Sequence, residues 1–360
     1  MKLHIFNPEH EMALAYDKCN ITLPHAIQEF KNNLSFIPAL WADDGDCVLT
    51  DDIPFALKAL SRVRKPHADV LFLAPMEIKD VCFDEICPWG WDKSVKMQLI
   101  ACGVDASLLP TDDLLLNIRE LSGRQQTVSL LKILRENIEA LTCGESFFIV
   151  DLQDLQLALE RYNHIVVKAP WSSSGRGVRY IEKGNTDVST LGWIRNVIKS
   201  QGGIMAEPYY NKLRDFAMEF YSYGDGTVDY RGLSVFNTEK GSYTGNLIAS
   251  DSRKREIISR YISDETLTVI KERIINYFSI QLKNVYRGPF GVDMMIVQGN
   301  DGKGFLLHPC VEVNLRMTMG HVANALHTLP DGPEEVMRIV HDVNYQLKSE
   351  PTENNFVKVI

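Results

Sequence analysis

The chain has 360 residues, of which 45% are apolar and 24% are charged, and its formal net charge is −9. This is the balance of an ordinary globular protein, and the length suffices for two or three domains. The acidic balance and the lack of any basic run argue against a nucleic-acid-binding groove. No stretch approaches the roughly 18 apolar residues of a membrane-spanning helix, and no apolar signal region opens the chain, so the sequence predicts a cytoplasmic protein.

The spacing of the cysteines and histidines gives no indication of disulfide bonds or of a zinc site. Seven cysteines are scattered without a Cys-x-x-Cys pair, which is typical of reduced residues in a cytosolic protein. The nine histidines include no His-Glu-x-x-His motif, so the sequence gives no support to zinc catalysis. It does not indicate an oligomeric state.

Residues 1–118 are predicted to form a Rossmann-like domain, because strands and helices alternate along them. Strands are predicted at residues 3–6, 36–41, 47–50 and 70–73, and helices at 24–33, 54–63 and 93–102. Such alternation is typical of a parallel sheet with helices on its faces. The segment lacks a Gly-x-Gly-x-x-Gly motif, which argues against dinucleotide binding.

Two polar loops of this domain are candidates for substrate binding. Asn7, Glu9 and His10 follow the first predicted strand, at the carboxyl edge where parallel sheets gather ligands. Trp89 and Trp91 lie in a second loop. The alternative is that both loops are tight turns in which a polar side chain caps the next helix.

A strand, a loop of small residues and a second strand follow between residues 164 and 181. The first strand ends at Lys168, and the second begins at Val178. Between them lie Ser172, Ser173, Ser174, Gly175, Arg176 and Gly177. Backbone N–H groups of such a loop can close over phosphates, and the lysine supplies a positive charge. Because the lysine precedes the loop and a strand follows it, the pattern differs from a Walker loop, a dinucleotide fingerprint and a protein kinase. An ordinary hairpin remains the alternative.

A second hairpin near the C-terminus carries acidic residues. Asp293 lies in one predicted strand and Glu312 in its returning partner, and they are nearly symmetric about the loop between them, so pairing sets them opposite each other. Alternation along the second strand places Asn314 on the same face as Glu312. Two carboxylates and an amide oxygen are the hard ligands that Mg²⁺ prefers. The alternative is a hairpin whose polar side chains face water.

The remaining elements fill the segments around these two hairpins. Helices are predicted at residues 111–121, 127–140, 151–162 and 267–278, and strands at 216–221 and 227–235. A last helix is predicted from residue 333 to 347, with Val336, Ile339, Val340, Val343 and Leu347 buried. These elements divide the rest of the chain at 119–203, 204–348 and a short tail at 349–360.

Together, the two hairpins resemble the ATP-grasp superfamily, in which two α+β lobes hold ATP between antiparallel sheets. The resemblance covers about residues 120–330. It implies an α/β chain with a Rossmann-like N-terminal parallel sheet, followed by a two-lobed ATP-grasp domain. The small lobe would be residues 119–203 and the large lobe residues 204–348.

The resemblance also implies roles for individual residues. Lys168 and the loop at 172–177 would bind ATP phosphates, with Arg124 in place of the family's first lysine and Lys132 a weaker candidate. Glu207, Tyr209 and Tyr210 match the hinge that receives adenine, and Asp215 matches the ribose-binding acid. Asp293, Glu312 and Asn314 match the ligands of Mg²⁺ or Mn²⁺. Arg316 resembles the arginine of an Asn-x-Arg motif, and Arg176 and Arg287 are weaker candidates for charge stabilisation.

The reaction that the resemblance implies is ATP-dependent ligation. A substrate carboxylate would be activated as an acyl phosphate and joined to an amine or similar nucleophile, releasing ADP and phosphate. The expected partners are therefore small molecules, a carboxylate and an amine, with Asn7, Glu9, His10 and Trp89 helping to choose the acceptor. Two alternatives are a phosphotransferase on the same fold and a non-catalytic ATP-binding regulatory protein.

Overall fold

The N-terminal segment forms a four-stranded parallel sheet in the order β3-β2-β1-β4. Its strands are β1 (Lys2–Ile5), β2 (Cys47–Leu49), β3 (Leu71–Leu73) and β4 (Glu85–Pro88), and its helices are α1 (His10–Tyr16), α2 (His25–Asn33), α3 (Ile53–Leu60) and α4 (Lys93–Ala101). The computed structural model describes residues 1–63, 65, 67–172, 177–239, 242–299, 304–327 and 332–352. The predicted parallel sheet is confirmed.

Two details of this sheet differ from the prediction. The strand predicted at 36–41 is wrong, because Ile37–Leu40 is a short 3₁₀ helix. Pro38 has no N–H to donate to a sheet ladder, and its fixed φ suits a first helical turn. The apolar run is instead explained by burial of all four residues. Strand β4, which pairs along β1, was not predicted.

A second sheet, antiparallel and four-stranded, forms the small lobe in the order β5-β8-β6-β7. It comprises β5 (Phe147–Ile149), β6 (His164–Lys168), β7 (Val178–Glu182) and β8 (Ile204–Pro208), covered by α7 (Leu152–Tyr162) and α8 (Val188–Gln201). Asp151 caps α7, since its side chain accepts from the N–H groups of Gln153 and Asp154. The pairing of β8 with β5 and β6 assigns residues 204–208 to the small sheet, past the predicted border at 203.

The large lobe is built on a seven-stranded sheet in the order β13-β12-β9-β10-β11-β14-β15. Its strands are β9 (Lys212–Ser222), β10 (Val228–Glu239), β11 (Ser242–Ile248), β12 (Gly288–Gln298), β13 (Phe305–Asn314), β14 (Glu335–His341) and β15 (Tyr345–Pro351). The helices of this part are α9 (Asp251–Ser259), α10 (Asp264–Gln281) and α11 (Met319–Ala325), preceded along the chain by α5 (Asp112–Leu121) and α6 (Gln126–Arg135). Although 126–135 was predicted in the small lobe, α6 packs on β13, and its leucines join the core of the large lobe.

The prediction of a last helix from residue 333 to 347 is wrong, because the segment forms the β14–β15 hairpin. Val336, Ile339 and Val340 are β-branched and favour strands. The apolar spacing was compatible with a helix, but the free edge of β11 gives β14 a ladder, with Leu247 opposite Val336. Val343, predicted to be buried, lies at the hairpin turn and is 77% exposed.

One hydrophobic cluster joins the N-terminal segment to the large lobe. Phe6 and Trp89 from the N-terminal sheet share it with Ile248, Val322 and Met337. The loops at the carboxyl edge of the parallel sheet are thereby packed against β11, α11 and β14. No helix in the described part of the chain is long and apolar enough to cross a bilayer.

Candidate active site

A cleft of about 660 Å³ lies between the small and the large sheets. Strands β6, β7 and β8 line one side of it, and β9, β10, β11, β12 and β13 line the other. Alternation along β6 sends His164, Val166 and Lys168 to the cleft face, while Ile165 and Val167 enter the core of the small lobe. Lys168, which ends this strand, therefore faces the cleft.

Lys168 forms a buried ion pair on the wall of this cleft. Its Nζ lies 2.6 Å from Oε2 of Glu207. Both residues are largely buried, and the antiparallel register places Glu207 opposite Val166, two residue pairs from the lysine and therefore on the same face of the sheet. The lysine charge is thus held in place before any phosphate arrives. Glu207, matched by sequence to the adenine hinge, contacts the lysine through its side chain.

Arg124 connects the loop after β6 to the acidic hairpin. Its Nη1 donates to the carbonyl oxygen of Ala169 at 2.6 Å and to Oγ of Ser172 at 2.7 Å. Its Nη2 lies 2.7 Å from Oε1 of Glu312. The guanidinium is buried at the cleft and bridges both candidate halves of the site. Arg124, rather than the exposed Lys132, is the cation that the structure brings to the cleft.

The base of the Gly-rich loop is closed by one backbone hydrogen bond, in which the N–H of Ala169 donates to the carbonyl oxygen of Gly177 at 2.8 Å. Gly177 packs against the Ser172 side chain so closely that a Cβ atom would overlap it, which explains the glycine. Four predicted phosphate-loop residues, Ser173, Ser174, Gly175 and Arg176, lie outside the described residues.

Asp293 and Glu312 face each other across β12 and β13, as predicted. The ladder shifts register after Asp293, and Gly291 pairs with Asn314. Nδ2 of Asn314 donates to Oδ2 of Asp293 at 3.1 Å. Burial, reinforced by the neighbouring Glu312 carboxylate, raises the pKa of Asp293 to about 8.

The donor set at this hairpin suits a hard cation. Two carboxyl groups and the Asn314 amide group meet there, and Asp293 has no lysine or arginine ion partner among the described residues. No group of three or more His, Cys, Asp or Glu side chains in the described part of the chain is placed to hold a metal. A metal bound here would therefore take an amide oxygen and outside ligands as well.

Arg316 extends this cluster toward the N-terminal segment. Its Nη2 donates to Oδ1 of Asn314 at 2.9 Å, and its Nε lies 2.7 Å from Oε1 of Glu11 in α1. Its Nη1 donates to the carbonyl oxygen of Met317 at 2.9 Å. These hydrogen bonds hold the guanidinium between helix α1 and the end of β13, where Asn314 lies.

The other end of the cleft combines aromatic rings with a polar triad. The Tyr209 ring stacks on His164, with centroids 4.0 Å apart. Asp215 accepts from Nζ of Lys212 at 2.6 Å and from Oγ1 of Thr238 at 2.7 Å. Stacking surfaces and a carboxylate suit a nucleoside. Tyr210 lines the same end, and its hydroxyl accepts from the N–H of Gly144 at 3.2 Å.

Comparison with solved structures decides the fold. The chain is similar to N5-carboxyaminoimidazole synthetase from Staphylococcus aureus complexed with ADP, at 14% identity over 94% of this chain and 82% of that chain, with a TM-score of 0.50. It is also similar to biotin carboxylase from Campylobacter jejuni, at 12% identity over 94% of this chain and 75% of that chain, with a TM-score of 0.53. The biotin carboxylase domain of Hydrogenobacter thermophilus 2-oxoglutarate carboxylase matches at 11% identity over 94% and 74%, also with a TM-score of 0.53.

These neighbours have ATP-grasp folds. The chain has the ATP-grasp fold. No known family matches it by sequence, and no curated protein does. The predicted fold class, with a parallel N-terminal sheet ahead of a two-lobed ATP-grasp domain, is confirmed.

Several sequence candidates lie away from the ATP-grasp cleft. Arg287, offered as a weaker candidate for charge stabilisation, pairs with Glu85 at 2.7 Å and is not among the residues that line the cleft. The acceptor candidates Asn7, Glu9, His10 and Trp89 are buried and do not line it either.

The acceptor candidates interact mainly with their own domain. Nδ1 of His10 lies 3.0 Å from Oδ2 of Asp92, and Nδ2 of Asn7 donates to the carbonyl oxygen of Gly90 at 2.8 Å. Trp89 also reaches the ATP-grasp lobe, where its side chain packs in the shared hydrophobic cluster and its carbonyl oxygen accepts from the N–H of Met317 at 2.8 Å. Their role in acceptor choice stays a prediction.

Sequence reasoning missed several cleft residues on the large sheet. Glu219 lines the ATP-grasp cleft, and burial raises its pKa to about 8. Ser234, Asn246 and Thr318 line the cleft beside it. The alternation of side chains along a strand could have identified Glu219. Asp215 and Glu219 lie four residues apart in β9, so their side chains point to the same face of the sheet.

Proposed function

We propose that this protein is an ATP- and Mg²⁺-dependent ligase that activates a substrate carboxylate and joins it to an amine. One observation carries the proposal. Fixed cations at Lys168 and Arg124, a carboxyl group at Asp293 that has no lysine or arginine partner among the described residues, and a further arginine at Arg316 meet in one cleft. Phosphoryl transfer depends mainly on such positioning and charge stabilisation. The ADP in the Staphylococcus aureus neighbour and the MgADP in the Hydrogenobacter thermophilus neighbour support nucleotide binding at this fold.

The cleft offers a nucleotide three kinds of contact, one each for its base, its ribose and its phosphates. Tyr209, on the hinge after β8, offers a ring face to adenine, and Asp215 offers an acceptor to ribose hydroxyls. Lys168 and Arg124 lie next along the cleft, where their charges would pair with phosphate oxygens. The Lys168 ammonium group has three donors, so it could bind a phosphate oxygen while it still donates to Glu207.

Asp293, Glu312 and Asn314 would hold the metal ion. When bound, Mg²⁺ neutralises phosphate charge and aligns the phosphates. Arg124 on Glu312 and Arg316 on Asn314 fix two of the three candidate ligands from outside, as second-layer partners of metal ligands commonly do.

The proposed reaction has two steps. In the first, a substrate carboxylate oxygen attacks the γ-phosphorus of ATP, the bond to the β,γ-bridging oxygen breaks, and ADP leaves. In the second, a neutral amine attacks the acyl phosphate carbon, phosphate leaves with the bonding pair, and the amine nitrogen loses a proton. Arg316 lines the cleft, and its positive charge would stabilise the substrate carboxylate and the negative charge that develops on it.

Product analysis tests this proposal. Purified protein is incubated with MgATP and panels of carboxylates and amines, and ADP release is measured with each panel alone and with both together. Release that requires a carboxylate and an amine together supports a ligase. Hydroxylamine, which traps acyl phosphates as hydroxamates, tests the first step without the natural amine. Release with one acceptor and no hydroxamate would instead support a phosphotransferase.

Matched variants assign the activity to the cleft. Glu312→Gln should abolish hydroxamate formation, because it removes a charged candidate metal ligand at nearly constant volume. Glu182→Gln, at the exposed end of β7, is the control and should retain it. Hydroxamate formation by both variants alike would contradict the assignment of the site.

A further inference from the structure

Five carboxylates line the cleft in the described part of the chain, and they differ in their partners. Glu207 pairs with Lys168, Asp215 with Lys212 and Glu312 with Arg124. Asp293 and Glu219 have no lysine or arginine ion partner among the described residues. Asp293 belongs to the candidate metal cluster. Glu219 is the cleft carboxylate left without an assigned cation.

Glu219 lies between two glycines of the large sheet. The register places it opposite Gly291 of β12 and Gly232 of β10, whereas Asp293 is opposite Ala217 in the adjacent row. A Cβ atom on Gly291 would lie 2.5 Å from Oε2 of Glu219, so the carboxylate lies across that glycine. The small residues give the Glu219 side chain its own space, one row away from Asp293.

The nearest titratable group does not neutralise Glu219. Nδ1 of His321 lies 3.1 Å from its Oε2. Nε2 of His321 lies 3.2 Å from the carbonyl oxygen of Phe220, which can only accept, so Nε2 carries the ring proton. Burial lowers the pKa of His321 to about 4, so this ring is neutral near pH 7 and turns an acceptor nitrogen toward Thr318 and Glu219. Burial also raises the pKa of Glu219 to about 8, so without a cation beside it this carboxyl group holds a proton near pH 7.

A second unsatisfied acceptor lies close to Glu219. Nδ2 of Asn246 donates to Oγ of Ser234 at 2.7 Å, while its Oδ1 is buried and has no hydrogen-bond partner among the described residues. A Cβ atom on Gly320 would overlap the Glu219 carboxylate and would lie 2.5 Å from Oγ of Ser234, so these groups surround one spot. Asn246 is only 1% exposed. A buried acceptor without a donor is costly unless a ligand supplies the donor.

We propose that Glu219, Ser234 and Asn246 form the subsite that binds the amino group of the acceptor substrate as an ammonium ion, which passes one proton to the Glu219 carboxylate before it attacks as the neutral amine. A primary ammonium carries one positive charge and three donors, which match a carboxylate without a cation, an amide oxygen without a donor and a hydroxyl oxygen. The inference rests on the proposed function for the identity of the ligand as the acceptor. It commits to a primary ammonium compound in preference to a metal ion, because Glu219 is the one group of the three that can carry a charge, and Ser234 and Asn246 are neutral.

Binding measured without nucleotide tests the subsite separately from the reaction. The probes are the free amino acids, ethanolamine and putrescine, each paired with its N-acetyl derivative at equal ionic strength. At least one free amine should raise the unfolding temperature of the wild-type protein, and its N-acetyl derivative should not. Titration calorimetry of that amine should show about 10- to 100-fold weaker binding to Glu219→Gln, the usual cost of a lost charge-assisted hydrogen bond.

A second variant and a control keep the test decisive. Asn246→Ser should weaken the same amine by about tenfold, because it removes one acceptor and leaves the charge. Glu239→Gln, exposed at the end of β10, is the matched control and should bind the amine like wild type. Unfolding temperatures measured without ligand check that each variant folds.

Three results would overturn the inference. These are no stabilisation of the wild-type protein by any free amine, equal binding by wild type and Glu219→Gln, or stabilisation by MgCl₂ alone that only Glu219→Gln loses. The last would make Glu219 a metal ligand. Amine binding that depends on Glu219, in a protein that forms no hydroxamate, would reject the proposed ligase and keep the subsite.

Discussion

Glu11 and Arg316 form an ion pair, with Oε1 and Nε 2.7 Å apart, that joins the first helix to the end of the acidic hairpin. The same guanidinium donates to Oδ1 of Asn314, whose amide group donates in turn to Asp293. A side chain of the N-terminal segment therefore positions the candidate metal cluster through Arg316.

Removing Glu11 should impair turnover more than nucleotide binding. In Glu11→Ala, Arg316 loses the partner that orients it, and we expect turnover to fall about tenfold or more, with the KM for ATP changed less than about threefold. Glu11→Asp should recover part of the loss. Glu85→Ala is the matched control, because Glu85 also pairs across to the ATP-grasp domain, with Arg287, away from the cleft. An equal loss of turnover in Glu85→Ala would show that turnover depends on the contact between the domains and not on the orientation of Arg316.

Lys168→Met should destabilise the fold as well as remove ATP binding. It leaves Glu207 as a buried carboxylate without its cation, which costs about 3–5 kcal/mol in comparable cases. The double variant Lys168→Met/Glu207→Gln should recover much of the unfolding free energy but none of the ATP affinity. Urea unfolding and titration calorimetry measure the two effects. Lys2→Met, which breaks an exposed pair with Asp43, is the control and should cost less than about 1 kcal/mol.

Nucleotide binding should depend on a divalent cation held by the hairpin. EDTA should sharply lower ADP affinity in the wild-type protein. Electron paramagnetic resonance of Mn²⁺ in the presence of ADP should show binding that Glu312→Gln weakens about tenfold or more, and that Glu182→Gln leaves unchanged. ADP affinity independent of the cation in the wild-type protein would reject the metal assignment.

His308 should make the fold sensitive to mild acid. Burial, with a contribution from nearby Lys168, lowers the pKa of His308 to about 3, and neither ring nitrogen has a hydrogen-bond partner among the described residues. Below a pH of about 6.5 the unfolded chain binds a proton at this residue that the folded protein does not bind until about pH 3. The free energy of unfolding therefore falls by up to about 1.4 kcal/mol per pH unit across that window.

The variant His308→Leu should lack this contribution. Between pH 7 and pH 5 its unfolding free energy should fall by about 2 kcal/mol less than that of the wild-type protein, since about 1.5 pH units of the window are crossed. Urea titrations at the two pH values provide the comparison. Parallel declines for the two proteins would mean that His308 is protonated in the folded state.

Local patterns were sufficient for the features that depend on neighbours in the chain. Period-two alternation put Lys168 at a cleft-facing strand end, and hairpin symmetry put Asp293 opposite Glu312, because register across a short turn follows from sequence spacing. The capping of α7 by Asp151 is equally local. The order of these elements was also enough to indicate the ATP-grasp fold.

Contacts between distant segments required the tertiary structure. The segment from 335 to 351 has an apolar spacing that suits a helix, and only the open edge of β11 makes it a hairpin. Glu11 and Arg316 are 305 residues apart, and nothing in either local sequence indicates the other. Glu219 looked like one polar residue in an apolar strand, and its lack of a cation became visible only when every neighbouring strand was in place. Sequence spacing sets which face of an element a side chain occupies, but packing decides what that face meets.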